Sequence, residues 1–349
     1  MNSTSSFSKN NLLLLNSYLA TKPNSKRFIL VDENTFKHCL PILIDNVEQL
    51  YGAEILEVEQ GEKSKQLTIV ENLCGAMIES SADKDSILVS LGGGVISDLG
   101  GFVASVFKRG ISHIAIPTTL LAMIDASIGA KTGINIGEVK NQVGTFNTNS
   151  QTFFHLEFLN TLSKRQVLNG AAEMFKIALV SDEKLWDTMK QGKPWNNKKQ
   201  GFDSKLIEKC IKLKEDIVMQ DPLEQGKRKI LNFGHSLAHA FESIALQKDS
   251  DLLHGEAVVS GIYYAIKLSE KKLSFPQSKA TEICEYLKKN YHIIDIQKDI
   301  DLVINYLYAD KKNINNEFRF ILLEDIAKPI INYTISKEDL LSLRLTDNH

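Results

Sequence analysis

The sequence predicts an α/β fold: an N-terminal domain built on a parallel sheet, followed by a C-terminal domain that is mostly α-helical. Short β-branched runs bounded by turn residues recur between residues 27 and 117, and the segment 67–78 between two of them has helical spacing. Strands separated by helices imply parallel βαβ units with right-handed crossovers. After about residue 160 the strand signals thin out and helical stripes take over. At 349 residues the chain has the length of about two domains, with the boundary expected near residues 150–160.

Taken in order, the first ten residues read as an adaptable arm. RFILVD (27–32), EILEVE (54–59), DSILVSL (85–91) and SHIAIP (112–117) read as strands. Leu67, Val70, Leu73, Cys74, Met77 and Ile78 recur on one face of a helix between the second and third of these. In the second half, Val167, Leu168, Ala171, Met174, Phe175, Ala178 and Leu179 make one helical stripe. Leu206, Ile207, Cys210, Ile211, Ile217 and Val218 make another. Segments near 235–246 and 255–271 read as helices, the second apolar nearly all round and therefore buried. GKPWNNKKQGFDS (192–204) and QKDSDL (247–252) are polar loops; neither an internal repeat nor a low-complexity tract is present.

Composition excludes several classes. Hydrophobic residues make up 43% and charged residues 24%, the balance of a globular protein. Lys and Arg number 41 against 43 Asp and Glu, a net charge of −2, so no global basic field attracts nucleic acid or anionic lipid. No apolar run approaches the roughly 18 residues of a membrane span. Leu12 to Leu15 is interrupted at once by Asn16 and Ser17, and MNSTSSFSKN before it is a poor signal peptide. Cys39, Cys74, Cys210 and Cys284 have no paired ligand spacing, so a reduced, cytoplasmic protein is expected.

The residues that carry chemistry begin with SILVSLGGGVISDLGGF (86–102), a strand, a three-glycine turn and a helix start. Glycines let backbone N–H groups approach a pyrophosphate at a helix N-terminus. The spacing is not G-x-G-x-x-G, because Ser97 occupies the final glycine position, and a turn serving only packing fits the local pattern as well. In the stretch 109–146, Arg109, Lys131 and Lys140 lie among small and apolar residues with Thr118, Thr119, Asp125 and Asn141. Cations spaced among glycines suit an anionic substrate; the plainer reading is a solvated loop.

In the helical half, Glu173 and Lys176 lie about 200° and 140° around from Ala171, opposite the apolar stripe. The plain expectation there is an ion pair in water worth a few tenths of a kcal/mol. Lys214 differs: it lies seven residues after Ile207 and four before Val218, inside an apolar stripe. A lysine there is costly unless an anion meets it or its stem snorkels outward. RKILNFGHSLAHAFE (228–242) sets His235 and His239 on one helical face, and His254 opens HGEAVVSG. Imidazoles plus a carboxylate suit Zn²⁺ with an open coordination position. Spacing alone nominates His235 and His239 as the pair, and cannot say which two of the three histidines bind or that Glu173 completes the set.

Together, GGGVISDLGGFVAS, KRGI, IPTTLLAMIDASIGAKTGIN, KNQVGTF, GAAEMFKIALV, LNFGHSLAHAFE and LHGEAV closely resemble the 3-dehydroquinate synthases, in order from about residue 28 to at least 325. The resemblance implies a Rossmann-like NAD-binding domain (1–157) and a helical metal- and substrate-binding domain (158–349), with NAD and substrate in the cleft between. It implies zinc, replaceable by cobalt, on Glu173, His235 and His254, which leaves His239 as a substrate-side or proton-handling group. For NAD it points to Asp32, Asn34, Glu62 and Lys65, then Gly93, Gly94, Val95 and Asp98, then Thr118, Thr119, Phe158 and Thr161.

Lys131, Lys176, Glu224, His239 and Asp125 fall on family positions implied to be catalytic. Arg109, Lys140, Asn141, Lys214, Arg228, Asn232 and one lysine of 311–312, taken as Lys311, fall on substrate positions. The implied substrate is 3-deoxy-D-arabino-heptulosonate 7-phosphate, whose carboxylate and phosphate account for the many cations. Lys131, Arg109, Lys140 and Asn141 are assigned mainly to phosphate, and Lys214 with Arg228 to carboxylate. The family chemistry takes a hydride from the C5 carbinol to NAD, eliminates phosphate, returns the hydride and closes the ring by an aldol step. A homodimer is also implied. The sequence departs from the family pattern at Ser97 for Gly, Gly100 for Ala and Ala130 for Gly, and 134–141 lacks the usual Pro and Gly. The competing readings are another sugar-phosphate cyclase, a metal-dependent polyol dehydrogenase of the same fold, and a catalytically silent NAD- or metal-binding regulator.

Overall fold

The computed structural model describes residues 11–137, 139–191, 202–309 and 318–344. The chain divides into two compact units, Met1–Val167 with Gln200–Ile211, and Leu168–Lys199 with Lys212–His349.

In the first unit, β1 (Arg27–Asp32), β2 (Glu54–Val58), β3 (Ile87–Gly92) and β4 (Ser112–Pro117) match the four runs expected to be strands. The hairpin β5 (Ile134–Ile136)–β6 (Val139–Val143) and β7 (Ser150–Thr152) are too short and too broken by polar residues to stand out in sequence. Five strands form one parallel sheet in the order β2-β1-β3-β4-β7. Both faces are covered, as parallel sheets require. Ile29, Val31 and Val89 pack with Leu12, Leu15 and Leu19 of α1 (Asn11–Ala20) and Leu40 and Leu43 of α3 (Leu40–Asn46), beyond the short α2 (Glu33–His38). Phe28, Leu30 and Leu88 pack with Val70, Leu73 and Met77 of α4 (Leu67–Glu79) and Ile96, Leu99 and Val103 of α5 (Gly94–Val106). The chain reverses direction across the sheet between β1 and β3, so their carboxyl ends, at Asp32 and the Gly92–Gly94 turn, flank the switch point where this architecture binds ligands.

One polar chain crosses the middle of this sheet. His113 on β4 is 3% exposed and bridges Ser90 Oγ on β3 (2.9 Å) and Ser150 Oγ on β7 (2.8 Å). It also accounts for a departure from the family pattern. A methyl at Gly100 would lie 1.9 Å from Ser90 Oγ, so the serine hydroxyl occupies the room an alanine needs.

The second unit holds α6 (Lys164–Ser181, entering from the first unit), α7 (Glu183–Gln191), the later part of α8 (Ser204–Gln220), α9 (His235–Gln247), α10 (His254–Leu273), α11 (Gln277–Asn290), α12 (Ile300–Ala309) and α13 (Lys337–Leu341). An antiparallel hairpin, β8 (Phe318–Asp325) with β9 (Lys328–Ile335), packs through β8 on α10; the thinning strand signal did not announce it. Phe175, Trp186, Tyr286 and Tyr291 form an edge-to-face aromatic cluster, and the Tyr291 hydroxyl donates to the Leu168 carbonyl at 2.8 Å. On α6 the expectation of a water-facing ion pair fails. Residues 171–180 are buried all round, with Glu173 at 0% and Lys176 at 2% exposure.

α9 and α10 cross in backbone contact. A methyl at Gly261 would sit 2.0 Å from the Gly234 carbonyl oxygen and 3.3 Å from the Ala238 nitrogen. Gly261→Ala is therefore expected to force the helices apart at a cost of about 2–3 kcal/mol. Chemical denaturation followed by the fluorescence of buried Trp186 measures this. Among the described residues no helix is long and apolar enough to cross a membrane.

Candidate active site

Three elements of the second unit bring one carboxylate and two imidazoles together. Glu173 Oε1 lies 3.6 Å from His235 Nε2 and 3.4 Å from His254 Nε2, and one ligand atom from each residue falls within 4.8 Å of the others. Metal–ligand bonds of about 2.0–2.2 Å at tetrahedral angles hold ligands about 3.4 Å apart, so these separations suit a zinc-type ion. Ring orientations agree. His235 Nδ1 faces the Phe233 carbonyl at 3.2 Å and His254 Nδ1 faces Glu242 Oε1 at 3.5 Å, so each Nδ1 donates away from the centre and each Nε2 is the nitrogen turned to the shared point, where a bound cation takes the place of any proton. The residues present fit the ion. Of the three pairings open in sequence, the structure gathers His235 with His254, while His239, one turn along α9, packs edge-on against His235 and is exposed.

The electrostatics of the cluster are those of a site built around positive charge. Burial, joined by the Lys176 ammonium, pushes the His235 imidazole down to about 3. Burial acts the same way on His254, yet the Glu173 and Glu242 carboxylates outweigh it and raise that imidazole to about 10. Lys176 pairs with Glu173 Oε2 within the same buried helix. The start of α10 is pinned to α6: Asn169 Oδ1 accepts the Gly255 N–H at 2.6 Å, one turn before Glu173. That contact fixes His254 beside Glu173, since it satisfies a first-turn N–H that α10 itself leaves open.

Arg228 is 4% exposed and donates to the Pro222 carbonyl at 2.7 Å, while Lys214 is 4% exposed. Asn232 Nδ2 donates to Glu224 Oε1 at 2.5 Å, and Glu224 holds a left-handed φ of 58°. Lys311 lies outside the described residues, as does most of the expected loop 192–204.

In the first unit a second web forms. Lys65, 3% exposed, donates to Asp98 Oδ2 and Asn141 Oδ1, each at 2.7 Å. Asn135 ties it together: its amide donates to Glu62 Oε1 at 2.8 Å and its oxygen accepts the Asn141 N–H at 2.9 Å. Burial pushes the Asp98 carboxyl up, and Lys65 draws it partly back. The web gathers Glu62, Lys65 and Asp98, expected for a dinucleotide, and adds Asn141, expected for phosphate. Gly93 caps α5 without a side chain, so the N–H groups of Gly94 and Val95 stand in the helix's first turn, where a phosphate is favoured. Asp32 accepts the Thr35 N–H at 2.8 Å, and Asn34 hydrogen-bonds Gln60. The Thr118 N–H bonds the Gly92 carbonyl at 3.0 Å, and Thr119 Oγ1 accepts the Ala122 N–H at 3.1 Å. Phe158 is fully buried, and Thr161 Oγ1 donates to its carbonyl. Asp125 sits in a π-helical turn, Ala122–Ala126, a form that recurs at functional sites. Arg109 and Lys131 are exposed, and Lys140 is half-buried.

Two family models match in succession. One describes the 3-dehydroquinate synthase N-terminal region, over residues 55–169, and the other its C-terminal region, over residues 170–313. A curated 3-dehydroquinate synthase from Parabacteroides distasonis is 38% identical over 336 residues, covering 94% of this chain and 92% of its own. The chain belongs to the 3-dehydroquinate synthase family.

Solved relatives extend the likeness to other sugar-phosphate cyclases. A 2-deoxy-scyllo-inosose synthase complexed with carbaglucose-6-phosphate, NAD⁺ and Co²⁺ is 25% identical, with a TM-score of 0.81 over 94% of this chain and 92% of that one. A 2-epi-5-epi-valiolone synthase from Streptomyces hygroscopicus subsp. jinggangensis 5008, with NAD⁺ and Zn²⁺ bound, is also 25% identical, with a TM-score of 0.83 over 95% and 92%. Within the family pattern, Ala130 adopts φ 59° where a Gly is usual, and Ser97 buries a hydroxyl that has no hydrogen-bond partner among the described residues. Each costs on the order of 1 kcal/mol or more. Asn135, Asn169 and Glu242 were not singled out in sequence. Asn135 and Glu242 had no signal beyond their place at the ends of family segments, and Asn169 stands just before one, since polar residues that act on other side chains carry no spacing of their own.

Proposed function

We propose that this protein is a 3-dehydroquinate synthase, a phosphate-eliminating carbon–oxygen lyase. It converts 3-deoxy-D-arabino-heptulosonate 7-phosphate to 3-dehydroquinate and phosphate, in the shikimate pathway of aromatic amino acid biosynthesis. The carrying observation is the convergence of Glu173, His235 and His254 on one point, in a chain of this family. The cofactors are NAD and one divalent metal, zinc or cobalt, as named for the solved cyclases. When bound, the metal supplies Lewis acidity at a carbinol oxygen, and the nicotinamide takes up and gives back a hydride.

The chain's own groups do the rest. Glu173, His235 and His254 hold the ion, and Lys176 and His239 stand beside it to hold substrate oxygens and handle protons. Lys214 and Arg228, both buried cations, take the carboxylate, with Glu224 and Asn232 hydrogen-bonded next to Arg228 in sequence. In the N-terminal domain (1–157) the α5 N-terminus, Asp32, Asn34 and the Lys65 web bind the dinucleotide, while Arg109, Lys131, Lys140 and Asn141 take phosphate and Asp125 assists. Phe158, packed in the core of the first unit, and Thr161 border the dinucleotide, ahead of the helical metal- and substrate-binding part of the chain. The protein acts in the cytoplasm as a homodimer.

Purified protein given the heptulosonate phosphate, NAD and zinc is expected to release phosphate and form 3-dehydroquinate with no net reduced cofactor. A chelator abolishes turnover, and zinc or cobalt restores it. Accumulating reduced nicotinamide would instead mark a polyol dehydrogenase, and turnover of a neutral sugar phosphate in preference to the sugar acid would mark a different cyclase. Full activity in the metal-free protein would reject the ligand assignment.

A further inference from the structure

We propose that Glu242 is a positioning residue of the metal site, holding the His254 ring so that Nε2 faces the ion. The inference rests on the ligand assignment above. Glu242 Oε1 lies 3.5 Å from His254 Nδ1, across the ring from the Nε2 that faces Glu173 Oε1 at 3.4 Å. The carboxylate therefore accepts the Nδ1 proton and leaves the opposite nitrogen as the one presented to the ion. The Glu242 side chain is 10% exposed and the His254 side chain 27%, so this contact is partly shielded from water.

α9 delivers Glu242 to this place by its own geometry. Seven residues separate it from His235, almost two full turns, so both lie on one face of the helix. The antiparallel crossing of α9 and α10 at Gly234 and Gly261 then sets the far end of that face beside the first residue of α10. The two histidine ligands are oriented differently. His235 leans on the Phe233 carbonyl, a fixed backbone group, whereas His254, the first residue of α10, leans on a charged side chain. A carboxylate behind a ligating imidazole also makes it a more basic ligand.

The test uses the full chain titrated with Co²⁺ alone, in competition with a chelator and by visible absorption. Glu242→Ala is expected to weaken Co²⁺ binding by about 10–100-fold and to alter the d–d band, the usual scale for such partners. Glu242→Gln, whose amide oxygen still accepts the Nδ1 proton without the charge, falls between the two and keeps a band closer to the parent's. Far-UV dichroism and Trp186 fluorescence of the metal-free variants follow the fold, and if the alanine variant does not fold, the glutamine variant decides. Parent-like affinity and spectrum in the folded variants would overturn the proposal. A parent protein that takes up no Co²⁺ would overturn the ligand assignment itself.

Discussion

Glu173→Gln is expected to lower metal affinity and turnover together, each by roughly 10²–10⁴-fold, the range implied by losing one partner of a buried ionic cluster at about 3–5 kcal/mol. The two imidazoles of the triad are neutral ligands, so Glu173 is its one anion, and an amide of the same shape removes the charge while leaving the packing. The substitution also strips a counter-charge from Lys176, which is 2% exposed on the same helix and pairs with the Glu173 carboxylate. An isolated ammonium there faces a desolvation cost that the metal-free protein must carry as well. Metal content after dialysis, Co²⁺ titration and steady-state rates measure the three effects separately. Stoichiometric, tightly held metal in the variant, with parent-like turnover, would show that Glu173 is a structural partner of Lys176 and not a ligand.

How far the sequence anticipated this centre depends on what kind of residue is asked about. β1 to β4 were legible because each is a short β-branched run between turn residues, and α10 because an all-round apolar helix has nowhere to go but inside. β8 and β9 were not, since their residues mix charges and a proline with the apolar positions. The burial of Glu173 and Lys176 defied the helical wheel for a physical reason. The wheel assumes that the face opposite an apolar stripe meets water, whereas α6 is enclosed on every side from residue 171 to 180. Lys214 was legible for the converse reason, a charge inside an apolar stripe, and it is indeed buried. Local spacing favoured His235 with His239; the choice of His254 depends on a helix crossing 19 residues further on, which no window along one helix contains. Asn135 and Glu242 act on side chains, not on backbone periodicity, and leave no pattern to read.

A marked pH effect on stability is expected in the first unit, at His113. Burial between strands holds this imidazole down at about 4, against an ordinary value of 6.5, and Ser90 and Ser150 offer it hydroxyls but no counter-charge. A folded-state value below the unfolded one means that the unfolded chain takes up the proton first. The contribution of His113 is therefore complete above about pH 6.5 and is lost as the pH falls toward 4, amounting to about 2 kcal/mol by pH 5 and about 3 kcal/mol by pH 4. Carboxylates and the histidines of the second unit add their own acid sensitivity, so the decisive measurement is a difference. Denaturation of parent and His113→Gln proteins between pH 8 and pH 4.5, both with metal removed, cancels the shared terms. The glutamine variant starts less stable, because its amide cannot reproduce both ring contacts, and then loses less on acidification, so the two curves converge. Parallel curves across that range would mean that His113 is protonated in the folded protein, and that the serine hydroxyls on β3 and β7 are enough to hold its charge.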